Sequence, residues 1–184
     1  MRGNEGMNSG AEKVAPSNLH SKDECLSYRH ILKWGNLLLV VIILLAVALR
    51  MIGADYNLDG DEVFSVKLAS KPFTHMISAA LKDKPHPPLH YITLHFWIKL
   101  FGNSEWSVRG LSILCSGLFI MVAYALLRPL LEQWLTLCLL LIFAISPMFV
   151  YYGQQARPYA VIALLSACNM LSFSHFLQAD DRKR

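Results

Sequence analysis

Charge is scarce in this sequence: 16% of its 184 residues are Asp, Glu, Lys or Arg, against about a quarter in a soluble domain. With 54% hydrophobic residues and a mean hydropathy of +0.38, that shortage excludes an ordinary water-soluble fold and points to a membrane protein. The basic residues behind the net charge of +4 are scattered, and no Lys/Arg run is interleaved with aromatic residues, which excludes a nucleic-acid surface. Cysteine is sparse too. Cys115, Cys138 and Cys168 fall inside apolar runs and Cys25 in a polar stretch, with no CxxC and no Cys/His ligand spacing, so neither a disulfide framework nor a cysteine metal site is expected. A cleaved signal peptide is not expected either, because the first apolar run starts far from the N-terminus and no small-residue cleavage pattern follows it.

What the sequence does have is apolar runs. A helix needs roughly 20 apolar residues to cross a bilayer core. The segments that qualify lie at about 34–52, 108–128, 133–150 and 158–177. Residues 1–33, polar and without apolar periodicity, are expected to be a disordered tail. Arg50, the only charge in the first run, is placed to snorkel to the headgroups. Pro147 lies near the exit of the third run, and Pro158 suits the first turn of the fourth. Pro87–Phe101 is a further run, but its uncharged core from Leu89 to Ile98 is too short to span, so it is expected to lie in the interface. Phe73, Met76, Ile77, Ala80 and Leu81 fall on one helical face of a surface helix. The fold class is therefore all-α integral membrane: a partial transmembrane bundle of about four spans over 34–178, with amphipathic juxtamembrane helices in a first external loop, 53–105. Arg29 and Lys33 before the first span, Arg128 between the second and third, and Arg182-Lys183-Arg184 in the charged end 179–184 put both termini in the cytoplasm of a multi-pass cell-membrane protein.

Several residues could carry chemistry on the external face. Asp59 and Glu62 are spaced as the capping box of a helix running toward Ser70, which leaves Asp61 outside the box. His86, held by Pro87-Pro88, and Lys84 could meet an anionic headgroup. Arg109 and Arg157, at the outer ends of the second and fourth spans, could grip a phosphate through their planar forks. Tyr151, Tyr152 and Tyr159 fit an interfacial aromatic belt.

Taken in order, Asp61-Glu62, His86-Pro87-Pro88-Leu89-His90-Tyr91, Phe101-Gly102-Asn103-Ser104-Glu105 with Arg109, Ser146-Pro147 and Tyr151-Tyr152-Gly153-Gln154-Gln155-Ala156-Arg157-Pro158-Tyr159 resemble the amino-terminal part of the C-type glycosyltransferases. That family includes the protein O-mannosyltransferases and the bacterial lipid-A aminoarabinose and galacturonic-acid transferases. The resemblance implies an enzyme that moves a sugar, with inversion, from a polyprenyl-phosphate donor to a lipid, glycan or protein acceptor on the external side of the membrane. It makes Asp61 and Glu62 the catalytic candidates, and Lys84, His86, Arg109, Gln154, Arg157 and Tyr159 the candidates for the donor phosphate and substrate. Relatives commonly have glutamate where this chain has Gln155, so no acidic role is carried to that position. No cofactor is assigned, and a divalent metal is left open. Family members carry more spans than four, so a missing C-terminal half is expected as a partner. The alternative is a non-catalytic subunit or carrier-lipid-binding module built on the same fold.

Overall fold

The computed structural model describes residues 18–82 and 88–181, with side chains over 34–82 and 88–179; among these residues every regular element is a helix. The helices are α1 (Asn18–Met51), α2 (Gly60–Ala69), α3 (Phe73–Ala80), α4 (Pro88–Phe101), α5 (Glu105–Leu127), α6 (Gln133–Ile145), α7 (Pro147–Gln154) and α8 (Tyr159–Asp181). Contacts divide the chain into Met1–Trp34 and Gly35–Arg184, and the bundle and the site lie within the second unit. The expected disordered tail is corrected from Asn18 onward, where α1 already begins. No glycine or proline falls between Pro16 and Gly35, so nothing in the sequence stops the helix from extending toward the N-terminus.

Three helical segments are long and apolar enough to cross a membrane: Trp34–Met51, Glu105–Leu127 and Tyr159–Ala179. The third expected span is not one straight helix. α6 and α7 qualify only as a pair, bent by 58° at Ser146. The cause is local: Pro147 disfavours the helical region for Ser146, which sits at φ −60°, ψ 126°, and then supplies the first residue of α7. α7 also carries the helix to Gln154, beyond the expected end at 150.

α5 is the central helix, packing most extensively against α8 and also touching α4, α6 and α7. Its uncharged stretch buries Leu111 and Cys115 against Ala156 of the α7–α8 turn and Ala160 and Val161 at the start of α8, with Ala69 and Leu94 joining from α2 and α4. Lower on α5, Ile120 and Ala123 meet Ile42 and Ala46 of α1 and Leu137, Leu140 and Ala144 of α6. Large apolar side chains also face outward along α1, α5, α6 and α8, among them Leu44, Met121, Ile142 and Phe173. Such a surface suits lipid, which costs an exposed leucine nothing.

Among its described residues the 53–105 loop is folded as the helices α2, α3 and α4, as the periodicity predicts. α3 turns Met76 and Ala80 inward onto Leu68 of α2 and Tyr91 of α4, while Phe73 and Leu81 stay exposed. α4 is 14 residues long and ends at Gly102, whose φ of +85° is the left-handed cap that glycine adopts without strain. Ser104 then caps α5, accepting from the Ser107 amide, and Trp97 Nε1 donates to the Ser107 carbonyl at 2.7 Å, so α4 and α5 are pinned at their shared end.

Candidate active site

The acidic stretch forms the first turn of α2. Asp59 is its N-cap, and the capping box is complete: the Asp59 amide donates to Glu62 Oε2 at 3.0 Å while the Asp59 carboxylate accepts from the start of the helix. Glu62 does more than cap. It is 1% exposed, and its two oxygens accept from Arg109 Nε at 3.1 Å, Arg109 Nη2 at 2.6 Å and the Ala156 amide at 2.8 Å. Burial alone would raise the Glu62 carboxyl, but the Arg109 guanidinium and the Ala156 and Asp59 amides outweigh it and hold it below the ordinary glutamate range.

Arg109 is correspondingly consumed. Besides Glu62 it donates from Nη1 to the carbonyls of Ala54 and Tyr56 and from Nη2 to that of Asn57. A guanidinium has five N–H donors, and these contacts with Glu62 engage all of them. These contacts give Arg109 a bracing role, and the expected grip on a donor phosphate has no free N–H among them. At 7% exposure it ties the head of α5 to the end of the α1–α2 loop and to α2.

Asp61 precedes Glu62 by one residue, a rotation of about 100° on a helix, and so points out where Glu62 points in. Its side chain is 64% exposed, and Oδ2 pairs with Arg157 Nη1 at 2.7 Å. The two acidic residues thus meet consecutive residues of the α7–α8 turn, Glu62 reaching the Ala156 amide and Asp61 reaching Arg157. A tight turn aims both partners, with the Arg157 amide donating to the Gln155 carbonyl at 2.7 Å. Arg157 also lies over the ring of Tyr159, 5.0 Å from its centroid, and Tyr152 meets Tyr159 edge-on at 4.8 Å. Separated by some hundred residues in the chain, Asp61, Arg157 and Tyr159 form one surface.

The remaining expected residues divide. Gln154 Nε2 donates to the carbonyls of Leu49 and Ile52 at the end of α1, and the residue also lines a cavity with Asp59, Glu62 and Arg109. Lys84 and His86 lie outside the described residues. Among the described residues no group of three or more His, Cys, Asp or Glu side chains is arranged to hold a metal ion.

Arg50 differs from the snorkelling residue that its place in the sequence suggests. It does not snorkel: it is 3% exposed and donates to the carbonyls of Ala46, Phe143, Ala144 and Phe149. A signal for it existed in Pro147, which has no N–H to give the Phe143 carbonyl four residues back. Two cavities flank the site. One of about 390 Å³ is lined by Arg50, Phe119, Met148, Phe149, Tyr152 and Tyr159, among others. The other, of about 230 Å³, is bounded by Tyr56, Asp59, Glu62, Arg109, Tyr151 and Gln155, among others.

Residues 85–184 match the family described as dolichyl-phosphate-mannose-protein mannosyltransferase, which covers more than half of the chain. The chain belongs to this mannosyltransferase family. No curated protein and no solved structure matches it. Membership and the apolar helices make the protein a multi-pass membrane glycosyltransferase of the mannosyltransferase type. The mannosyltransferase match contains Arg109, Gln154, Arg157 and Tyr159 and begins after α2, so the place of Asp61 and Glu62 in the site rests on their contacts with the matched region.

Proposed function

We propose that the protein takes part in transfer of a mannose-type sugar from a polyprenyl-phosphate carrier to an acceptor hydroxyl on the external face of the membrane, with Asp61 as the base. The observation that carries this reading is the division of labour between neighbouring carboxylates. Glu62 is buried with its oxygens occupied, whereas Asp61 is exposed and faces an arginine at 2.7 Å. In the reaction the acceptor oxygen attacks the anomeric carbon, its proton passes to Asp61, and the bond from that carbon to the phosphate oxygen breaks with the electron pair leaving on phosphate. The phosphate departs already charged, so the second carboxylic acid of a glycosidase is not required. Arg157, on the same surface, offsets the charge that grows on the leaving group. The apolar cavity on the Tyr152–Tyr159 side gives the carrier's hydrocarbon chain a place next to that phosphate.

The test is transfer of label in membranes containing the protein, or the protein with any further segment it needs. The expected result is incorporation into acceptor from polyprenyl-phosphate mannose and none directly from a nucleotide sugar. Carrier binding without transfer would instead establish a non-catalytic lipid-binding module.

A further inference from the structure

We infer that Arg50 and Gln154 form a reciprocal clamp, between the end of α1 and the α6–α7 bend, that positions Arg157 against Asp61. The proposal deepens the reading above and rests on it for its kinetic consequence, though not for its geometry.

Each half of the clamp answers a backbone deficit in the other element. In a continuous helix the Phe143 and Ala144 carbonyls would accept from residues 147 and 148. Residue 147 is proline and the chain bends there, so these carbonyls are left open in an apolar setting. Arg50 Nη2 donates to Phe143 at 3.4 Å and Nη1 to Ala144 at 3.2 Å, and Nη2 reaches past the bend to Phe149 at 3.2 Å. In the other direction, the end of α1 leaves its last carbonyls open, and Gln154 at the end of α7 donates to Leu49 at 3.2 Å and Ile52 at 2.8 Å. Arg50 also sits at the C-terminal ends of both α1 and α6, where helix dipoles favour a cation.

The close approach this demands is visible at Gly153. A Cβ there would come within 2.5 Å of Arg50 Nε and 2.7 Å of Ser116 Oγ, so any larger residue would force the Arg50 and Ser116 side chains out of these positions. Gln154 is three residues before Arg157, and Arg50 stands at the base of the loop leading to Asp61. With α1 and α7 locked together, the two chains that carry the reacting pair leave one fixed point. Lysine could not replace Arg50, because a single ammonium lacks the planar fork that spans carbonyls on both sides of a bend.

The test uses the membrane-embedded protein without its native cysteines. Geometry is read first: cysteines at 61 and 157 are cross-linked by a short bis-maleimide, alone and with Arg50→Lys, Gln154→Leu or Gly153→Ala. The Asp61–Arg157 pair is absent in this assay, so the clamp's share in holding the two sites together is read against a constant background from the Glu62–Ala156 hydrogen bond, which every variant keeps. Cross-linking is expected to slow at least tenfold in each variant. Transfer is read second, with Asp61 and Arg157 restored. There kcat is expected to fall by about 10²-fold, the usual effect of a displacement near 1 Å, with the KM for the donor little changed. Unchanged cross-linking in the Gln154→Leu and Gly153→Ala proteins, which retain the Arg50 charge, overturns the clamp. Slowed cross-linking with normal transfer upholds the clamp and overturns instead the roles given to Asp61 and Arg157.

Discussion

Glu62→Gln should be among the most damaging conservative replacements in the protein, and its cost can be worked from the contacts. The carboxylate presents two oxygens to four N–H donors, from Arg109 Nε and Nη2, Ala156 and Asp59. An amide presents one oxygen and turns an NH2 toward donors, so at least one buried N–H loses its acceptor and the Arg109 cation loses its only carboxylate partner among the described residues. Removing one member of a buried ion pair costs about 3–5 kcal/mol. Each buried N–H left without an acceptor costs about 1–3 kcal/mol within that loss. Against a total stability of roughly 5–15 kcal/mol this is a large fraction. A melting temperature lower by roughly 10 °C is expected.

The assay is thermal release of the Cys115 thiol, which is 8% exposed in the folded protein, to a fluorogenic maleimide in a background without Cys25, Cys138 and Cys168. The pH dependence gives a second readout. Because folding lowers the Glu62 pKa below its ordinary 4.5, the stabilisation is complete above that value and is lost as pH falls through the lower folded value. Glu62→Gln should lack this part of the acid-side loss. A melting temperature within a degree or two of wild type, with the same acid profile, would refute the ion-pair account of Glu62.

Arg157→Met should lower transfer by about 10²–10³-fold, the range for losing one preorganised donor, and Arg157→Lys should lower it less; equal activity in all three proteins would remove Arg157 from the chemistry. Single cysteines at 61 and 157, in a background lacking the native four, should both react with an impermeant thiol reagent from outside the cell, and labelling of 157 only after the membrane is opened would reject their common external face. A topology reporter fused after Gly102 should give the same external signal as one fused after Asp83, since the 14-residue α4 is too short to cross; a cytoplasmic signal at Gly102 would add a span and separate Asp61 from Arg157.

The spans, the capping box and the α3 helix were legible in the sequence because each depends on a local period or spacing. Asp-x-x-Glu is read within one turn, and an apolar run declares itself over about 20 residues. The directions of Arg50, Arg109 and Gln154 were not legible. Each lies at the end of an apolar helix, where an outward turn to headgroups is the local default. All three instead turn toward backbone carbonyls that other parts of the chain leave open: Phe143 beside Pro147, Ala54 and Tyr56 in the loop after α1, and Leu49 at the α1 terminus. Those deficits are created by bends and ends elsewhere in the fold, and only Pro147 signals one in the sequence. That Asp61 stands outside the capping box is legible from spacing alone, but its pairing with Arg157 depends on the α7–α8 turn.

The central claim is that Asp61, and not Glu62, takes the acceptor proton. Its most direct test is single-turnover transfer from saturating polyprenyl-phosphate mannose by Asp61→Asn, in protein whose thermal stability and donor binding match wild type. The exposed Asp61 side chain lets asparagine fit without disturbing the core, so the fall of about 10²–10⁴-fold expected for loss of a positioned base should appear in the rate alone. Near-normal transfer by the folded Asp61→Asn protein would contradict the assignment.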